Sequence, residues 1–366
     1  MASPHPSHHD GTDDRRGMTT EISHGETSAR TSEDLGDLAQ TPTSGPTNPW
    51  KIVLRIGLTA GLFVLLFWQV SWHQVWDAVQ TLDLHLLFWV CLLWIPTQYL
   101  QYIRWAILAR EAGKGVSRAD IHKSYWVGFT LGLVTPGRVG QFGRALALHN
   151  CSLSRAIGVS AIERGYSAIT INGFGLLAIV MLPWLGWAPP YVMPNAWMRA
   201  IVVVAGLLLL VLGVFPRSMF RPLNWLASKL PFREKMERAI DVLKPAGPAR
   251  GILYLALAAA ALASALLQFV LLLRAMGAPV PVFAGMLAAL LTFFLKGALP
   301  ISVGSLGVGE WVAVYCFRGL GVEPSVSVAA SLVLFTINVF VPSLIGLPFI
   351  NTLRGLPLSK PKVDAA

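Results

Sequence analysis

Charged residues are scarce in this 366-residue chain. Asp, Glu, Lys and Arg make up only 13% of it, whereas hydrophobic residues make up 54%, and the mean hydropathy is +0.58. Soluble domains carry about 25% charged residues, so this composition leaves too little polar surface to cover a water-soluble particle. The composition argues against a soluble enzyme and predicts an integral membrane protein.

Cysteines and targeting signals are also scarce. Cys91, Cys151 and Cys316 are too far apart to form a metal motif or a disulfide framework, so we expect no metal and no cofactor. The sequence near Met1 is polar, which predicts that there is no cleavable signal peptide. Residues 1–49 are rich in Ser, Thr, Asp, Gly and Pro, and we expect a disordered tail there.

Basic residues exceed acidic ones, 29 against 19, and give a net charge of +10. In membrane proteins this excess usually lies in cytoplasmic loops. No compact basic module is present, so we expect no nucleic-acid partner. Residues 216–250 form the most basic stretch, which reads as an amphipathic helix on the cytoplasmic lipid surface or as an ordinary charged loop.

Apolar runs of about 20 residues, enough to cross a hydrocarbon core of about 30 Å, recur along the chain. The fold class they predict is an all-α polytopic membrane protein with six full spans and two shorter, broken runs. The predicted spans are 52–70, 84–108, 156–183, 200–215, 252–273 and 325–350, and the short runs are 121–134 and 283–299.

Each short run ends at a segment that would break a helix. The residues responsible are Pro136, Gly137 and Gly140 in the first break, and Pro300, Gly304 and Gly307 in the second. We therefore predict two re-entrant hairpins, each leaving the membrane on the side it entered. Non-helical backbone at membrane depth must line a cavity or be buried in protein.

The loops 71–83 and 184–198 contain no Lys or Arg, which places them outside and both chain termini in the cytoplasm. The membrane domain, 50–350, then divides into halves of about 50–183 and 197–350 with opposite orientation, followed by a cytoplasmic tail, 351–366. This is the inverted-repeat plan of many transporters. Coincidence among Gly- and Pro-rich membrane segments is the alternative.

Ionisable residues at the breaks and inside the spans are the candidate binding groups. Arg138 and Arg144 in the first break suit phosphate, unless they only extend to the interface. Glu163 and Arg164 lie inside a span and should face the protein interior. Glu310, at the end of the second break, could pair with a lysine just before that break or balance an arginine of the first.

Three motifs together resemble the lysylphosphatidylglycerol synthase transmembrane-region family, the flippase-like domain of the multiple peptide resistance factor. They are Pro-Gly-Arg-Val-Gly-Gln at 136–141, Ile-Glu-Arg at 162–164 and Leu-Pro-Ile-Ser-Val-Gly-Ser-Leu-Gly-Val-Gly-Glu at 299–310. The resemblance implies a lipid-translocating domain over about 50–350. Gln141 and Ser167 stand where the family usually or often has an acid, which makes the site more positive.

The leading hypothesis is a flippase or transporter of the bacterial inner membrane that binds an anionic phospholipid or polyprenyl-phosphate headgroup. The predicted substrate-binding residues are Arg138, Gly140, Gln141, Arg144, Glu163, Arg164, Gly304 and Glu310. A non-transporting accessory subunit of a lipid- or glycan-modifying enzyme is the alternative. A lipid aminoacyl or glycosyl transferase is disfavoured because no catalytic motif is found and only about 16 residues follow the last predicted span.

Overall fold

The computed structural model describes residues 72–113, 115–135, 138–187, 195–216, 247–298 and 307–353. The α-helices in order are α1 (Trp72–Gln80), α2 (Leu84–Ala112), α3 (Arg118–Leu133), α4 (Leu153–Met181), α5 (Ala196–Val214), α6 (Pro248–Ala275), α7 (Val282–Ala298), α8 (Val308–Arg318), α9 (Pro324–Phe335) and α10 (Val341–Gly346). A 3₁₀ helix, Val139–Ala147, lies between α3 and α4.

Five helical stretches are long and apolar enough to cross a membrane: Leu84–Ala112, Leu153–Leu185, Ala196–Val214, Pro248–Ala275 and Pro324–Thr352. They coincide with five of the six predicted spans. Much of their apolar surface faces outward, and only 11% of the most apolar window of Ala196–Val214 is buried. The chain is an all-α polytopic membrane protein. The predicted first span, 52–70, and residues 217–246 of the predicted basic segment, 216–250, lie outside the described residues.

The short helix α1 is amphipathic, in agreement with its Trp-rich sequence. Val75 and Ala78 are buried in the main apolar core, whereas Trp76 is exposed. Helix α2 begins directly afterwards because the Asp83 carboxylate accepts the backbone N–H of His85 at 2.8 Å and so caps the first turn. Helix α1 therefore packs on the main apolar core through the face that carries Val75 and Ala78.

At the first break the 3₁₀ helix packs back against α3, and these two arms are called the first hairpin. The backbone N–H of Gly140 donates to Thr135 Oγ1 at 2.6 Å. A Cβ atom at Gly140 would lie 2.0 Å from the carbonyl oxygen of Leu131. This close approach explains why residue 140 is a glycine, because no side chain would fit between α3 and the 3₁₀ helix. Pro136 and Gly137, the predicted breaking residues, lie outside the described residues.

The second break ends at Gly307, the residue before α8. Its φ of 83° lies in the left-handed region that glycine adopts without steric cost. Glu310 Oε2 accepts the backbone N–H of Gly307 at 2.6 Å, so the carboxylate caps α8. Pro300 and Gly304 lie outside the described residues.

The sixth predicted span is interrupted. A π-helical turn, Thr336–Phe340, separates α9 from α10, and α10 begins with Pro342 at its second position. Because proline has no N–H to donate, a widened turn of this kind accommodates it. Asn338 lies in this turn and donates to Gln268 Oε1 on α6 at 3.0 Å. The sequence predicted one regular span here.

Contacts between the two predicted halves of the membrane domain are reciprocal. Helix α2 packs extensively on α6, its counterpart in chain order. Helix α3, the first arm of the first hairpin, packs on α10, and α7, the first arm of the second hairpin, packs on α4. Each hairpin arm therefore lies against the last span of the other half.

The close approach of Gly140 predicts a loss of stability in Gly140→Ala. The added methyl group must displace backbone, so we expect a cost of about 1–3 kcal/mol, measured as a lower thermal midpoint in detergent micelles. Gly165→Ala is the control, because a Cβ there meets no atom within 4 Å. Equal midpoints for the two variants would contradict the hairpin geometry.

Candidate functional site

A buried ion cluster joins α2, α4 and the 3₁₀ helix. Glu163 is 6% exposed; its Oε1 accepts a hydrogen bond from Arg104 Nη2 and its Oε2 accepts one from Arg144 Nη2. Arg104 and Arg144 are also buried, at 2% and 6% exposed. One carboxylate therefore pairs with two guanidinium groups, and the cluster keeps an excess of positive charge.

Arg104 is the member of this cluster that sequence reasoning missed. It stands near the end of the predicted span 84–108, where an arginine normally extends to the interface, but its side chain points inward and donates to Ser167 Oγ at 2.6 Å. The apolar sequence after it, Trp105–Ala109, was an available signal, because an arginine inside a span needs a buried partner. Ser167, where the family often has an acid, serves here as a neutral acceptor.

Arg144 is held in place from three sides. Its Cζ lies 4.0 Å from the ring centroid of Trp105, a cation–π arrangement. The indole N–H of Trp105 donates to Ser124 Oγ at 2.9 Å. A Cβ atom at Gly128 would lie 3.3 Å from Arg144 Cβ. The 3₁₀ helix therefore presents Arg144 to Glu163 in a fixed orientation.

A second polar contact joins the first hairpin to α4. Arg164 Nη1 donates to Gln141 Oε1. The amide of Gln141 occupies the position where the family usually has a carboxylate, so it satisfies one N–H of Arg164 without neutralising its charge. The sequence predicted a more positive site on this ground.

These groups open onto a cavity of about 680 Å³, within the range of small-molecule sites. Seven of the described helices contribute to its wall, together with the 3₁₀ helix and the π turn: α2, α3, α4, α6, α7, α8 and α9. The ionisable residues on the wall are Arg104, Arg138, Arg144, Glu163, Arg164 and Lys296. Five cations thus face one carboxylate.

Arg138 and Lys296 bring the two breaks to the same cavity. Arg138 precedes the 3₁₀ helix in a left-handed conformation, φ 58° and ψ 28°, which is rare for a residue with a side chain. Lys296 lies near the end of α7, and a Cβ at Gly309 would be 2.7 Å from its Nζ. Its ammonium group therefore lies against the start of α8.

Five of the predicted substrate-binding residues line this one cavity: Arg138, Gln141, Arg144, Glu163 and Arg164. A shared binding site requires such a common position. Their contact with a ligand stays a prediction.

Gly140 and Gly307 are not among the residues that line the cavity. They determine the backbone shape of the two hairpins. Glu310 has no exposed surface; besides capping α8 it accepts from Ser331 Oγ at 3.3 Å. Neither ion pair considered for Glu310 forms within the described ranges. Gly304 lies outside them. No group of three His, Cys, Asp or Glu residues suited to a metal occurs in the described part of the chain.

Residues 52–346 match the model of the family described as lysylphosphatidylglycerol synthase TM region. The chain belongs to this family. The match covers most of the chain and confirms the resemblance drawn from the motifs at the two breaks and in α4. No curated protein matched the sequence.

The ion cluster predicts that Glu163→Gln destabilises the protein strongly. Removing the carboxylate leaves two buried guanidinium groups that repel each other, which costs about 3–5 kcal/mol. Urea unfolding in micelles, followed by tryptophan fluorescence, measures the change.

Glu111→Gln is the matched control. Glu111 Oε1 accepts from Arg250 at 2.7 Å, and the Arg250 side chain is 51% exposed, so loss of that pair costs about 0–1 kcal/mol. The importance of the buried cluster is refuted if both variants unfold at the same urea concentration.

Proposed function

We propose that this protein is a lipid flippase or transporter that binds an anionic phospholipid or polyprenyl-phosphate headgroup in the central cavity. The observation that carries the proposal is the charge of the wall, where five cationic side chains face one carboxylate. Unneutralised charge inside a membrane protein is costly, and it marks substrate and ion pathways. An anionic headgroup would neutralise the excess.

The size and position of the cavity support the same function. A volume of about 680 Å³ accommodates a phosphate with its attached glycerol or sugar. The wall is built by both hairpins and by spans of both halves, so a relative movement of the halves would change the side from which the cavity is reached. Arg138 and Arg144 from the first hairpin would hold the phosphate by charge-assisted hydrogen bonds.

The reciprocal contacts support an inverted repeat. Under a two-fold relation, the packing of α3 on α10 must be matched by the packing of α7 on α4, and both are present. The contact between α2 and α6 would lie on the axis itself. An inverted repeat with re-entrant hairpins would place the binding site near the bilayer midplane.

This proposal includes the bacterial inner membrane as location, with both termini cytoplasmic, and membrane lipids as the partners. It assigns binding and movement to the cavity residues and no bond-making chemistry. An accessory subunit of a lipid-modifying enzyme would need the membrane fold, but it would not need a charged cavity open to a headgroup. The cavity therefore favours transport over the accessory role.

Leaflet exchange in proteoliposomes tests the proposal. We expect tail-labelled phosphatidylglycerol or phosphatidic acid to become accessible to an external quencher faster than in empty vesicles. Arg164→Gln should slow this exchange about tenfold, equivalent to ~1.4 kcal/mol, because it removes one cation from the cavity wall.

Arg250→Gln serves as the control variant, since Arg250 pairs with Glu111 away from the cavity, and its exchange rate should equal that of the wild type. Folded protein that gives no exchange above empty vesicles with either lipid would overturn transport and leave the accessory role.

A further inference from the structure

Three cations on the cavity wall have no carboxylate within ion-pair distance among the described residues: Arg138, Arg164 and Lys296. This separates them from Arg104 and Arg144, which share Glu163. Arg164 has the neutral amide of Gln141 as its partner. Arg138 and Lys296 come from different hairpins, so the unpaired charges of both hairpins lie on the wall of one cavity.

Arg138 is the least satisfied of the three. Its Nε and Nη2 atoms are shielded from solvent and have no hydrogen-bond partner in the described part of the chain. Its backbone is in the left-handed region, and such strain is retained mainly at functional sites. Its charge is also repelled by those of Arg164 and Lys296. The arrangement of Arg138 is therefore unfavourable in three ways, and an anion bound at Arg138 would relieve two of them.

The charge balance at this point indicates how negative the anion is. Arg138, Arg164 and Lys296 carry three positive charges, and no carboxylate among the described residues lies within ion-pair distance of them. An anion with a single negative charge would therefore leave two of these charges unneutralised. A phosphodiester such as phosphatidylglycerol carries one negative charge, whereas a phosphate monoester carries about 1.5 to 2 near pH 7. Two guanidinium groups and an ammonium also supply more donors than the two free oxygens of a diester would accept.

We propose that Arg138, Arg164 and Lys296 form a phosphate grip that selects a phosphate monoester or pyrophosphate headgroup over a phosphodiester. The Arg104–Glu163–Arg144 cluster then positions the first hairpin beside this grip. The inference rests on the proposed function for its assumption that the ligand is a lipid, and it adds the charge class of the headgroup and the residues that select it.

Binding of three probes to the purified full chain in nonionic detergent tests the grip. We expect dioctanoyl phosphatidic acid, a monoester, to bind at least tenfold more tightly than dioctanoyl phosphatidylglycerol, which has the same tails. Inorganic phosphate should bind more weakly than phosphatidic acid, since it lacks tails. Equal affinity for the two lipids would overturn the selectivity. Equal affinity for inorganic phosphate and phosphatidic acid would overturn the lipid as the source of the phosphate.

Arg138→Gly separates a binding role from a structural one. Glycine relieves the left-handed strain and removes the unpaired guanidinium, so the thermal midpoint without ligand should stay level or rise. Affinity for phosphatidic acid should fall at least tenfold, and the stabilisation by that lipid should disappear. A lower midpoint with unchanged affinity would show that Arg138 is structural and would overturn the grip.

Lys296→Met tests the contribution of the second hairpin, with Arg250→Gln as the control variant. We expect at least a fivefold loss of phosphatidic acid affinity in Lys296→Met and no change in the control. Leaflet exchange distinguishes this inference from the proposed function. Exchange of both lipids without preference for the monoester refutes the grip alone, whereas tight monoester binding without exchange refutes transport alone.

Discussion

The burial of one carboxylate between two arginines is the interaction on which the centre of this protein depends. Glu163 links α2, through Arg104, to the 3₁₀ arm of the first hairpin, through Arg144. In a low-dielectric interior none of these three charges is tolerated alone. The cluster therefore fixes how the 3₁₀ helix of the first hairpin lies against α2 and α4.

The remaining polar groups of the cavity follow from this arrangement. Because Glu163 is fully used by its two partners, Arg164 has only the amide of Gln141, and Arg138 has no hydrogen-bond partner for two of its nitrogens within the described residues. The excess charge is thus distributed unevenly. It is partly neutralised by Glu163 on the α2 side, and it has no carboxylate within ion-pair distance at Arg138, Arg164 and Lys296 among the described residues.

The two hairpins reach this cavity by different means. In the first, the absence of a side chain at Gly140 lets the arms touch, and Thr135 satisfies the freed N–H. In the second, Gly307 adopts a positive φ and Glu310 caps the returning helix. The Glu310 carboxylate thus occupies the start of α8, which would otherwise attract an anion. The cationic group that the second hairpin contributes to the cavity is Lys296.

The amino-acid sequence by itself determined the membrane class, five described spans and the presence of both breaks, because hydrophobic length and Pro/Gly content are local properties. It also predicted that Glu163 faces the interior, since a charge inside a span has few alternatives. It could not assign Arg104, which looks like an interfacial arginine until α4 is packed beside it. Nor could it choose the role of Glu310, whose partner, the N–H of Gly307, exists only once α8 begins there. Ion pairing and capping depend on distances between segments far apart in the chain, and only the tertiary structure decided those distances.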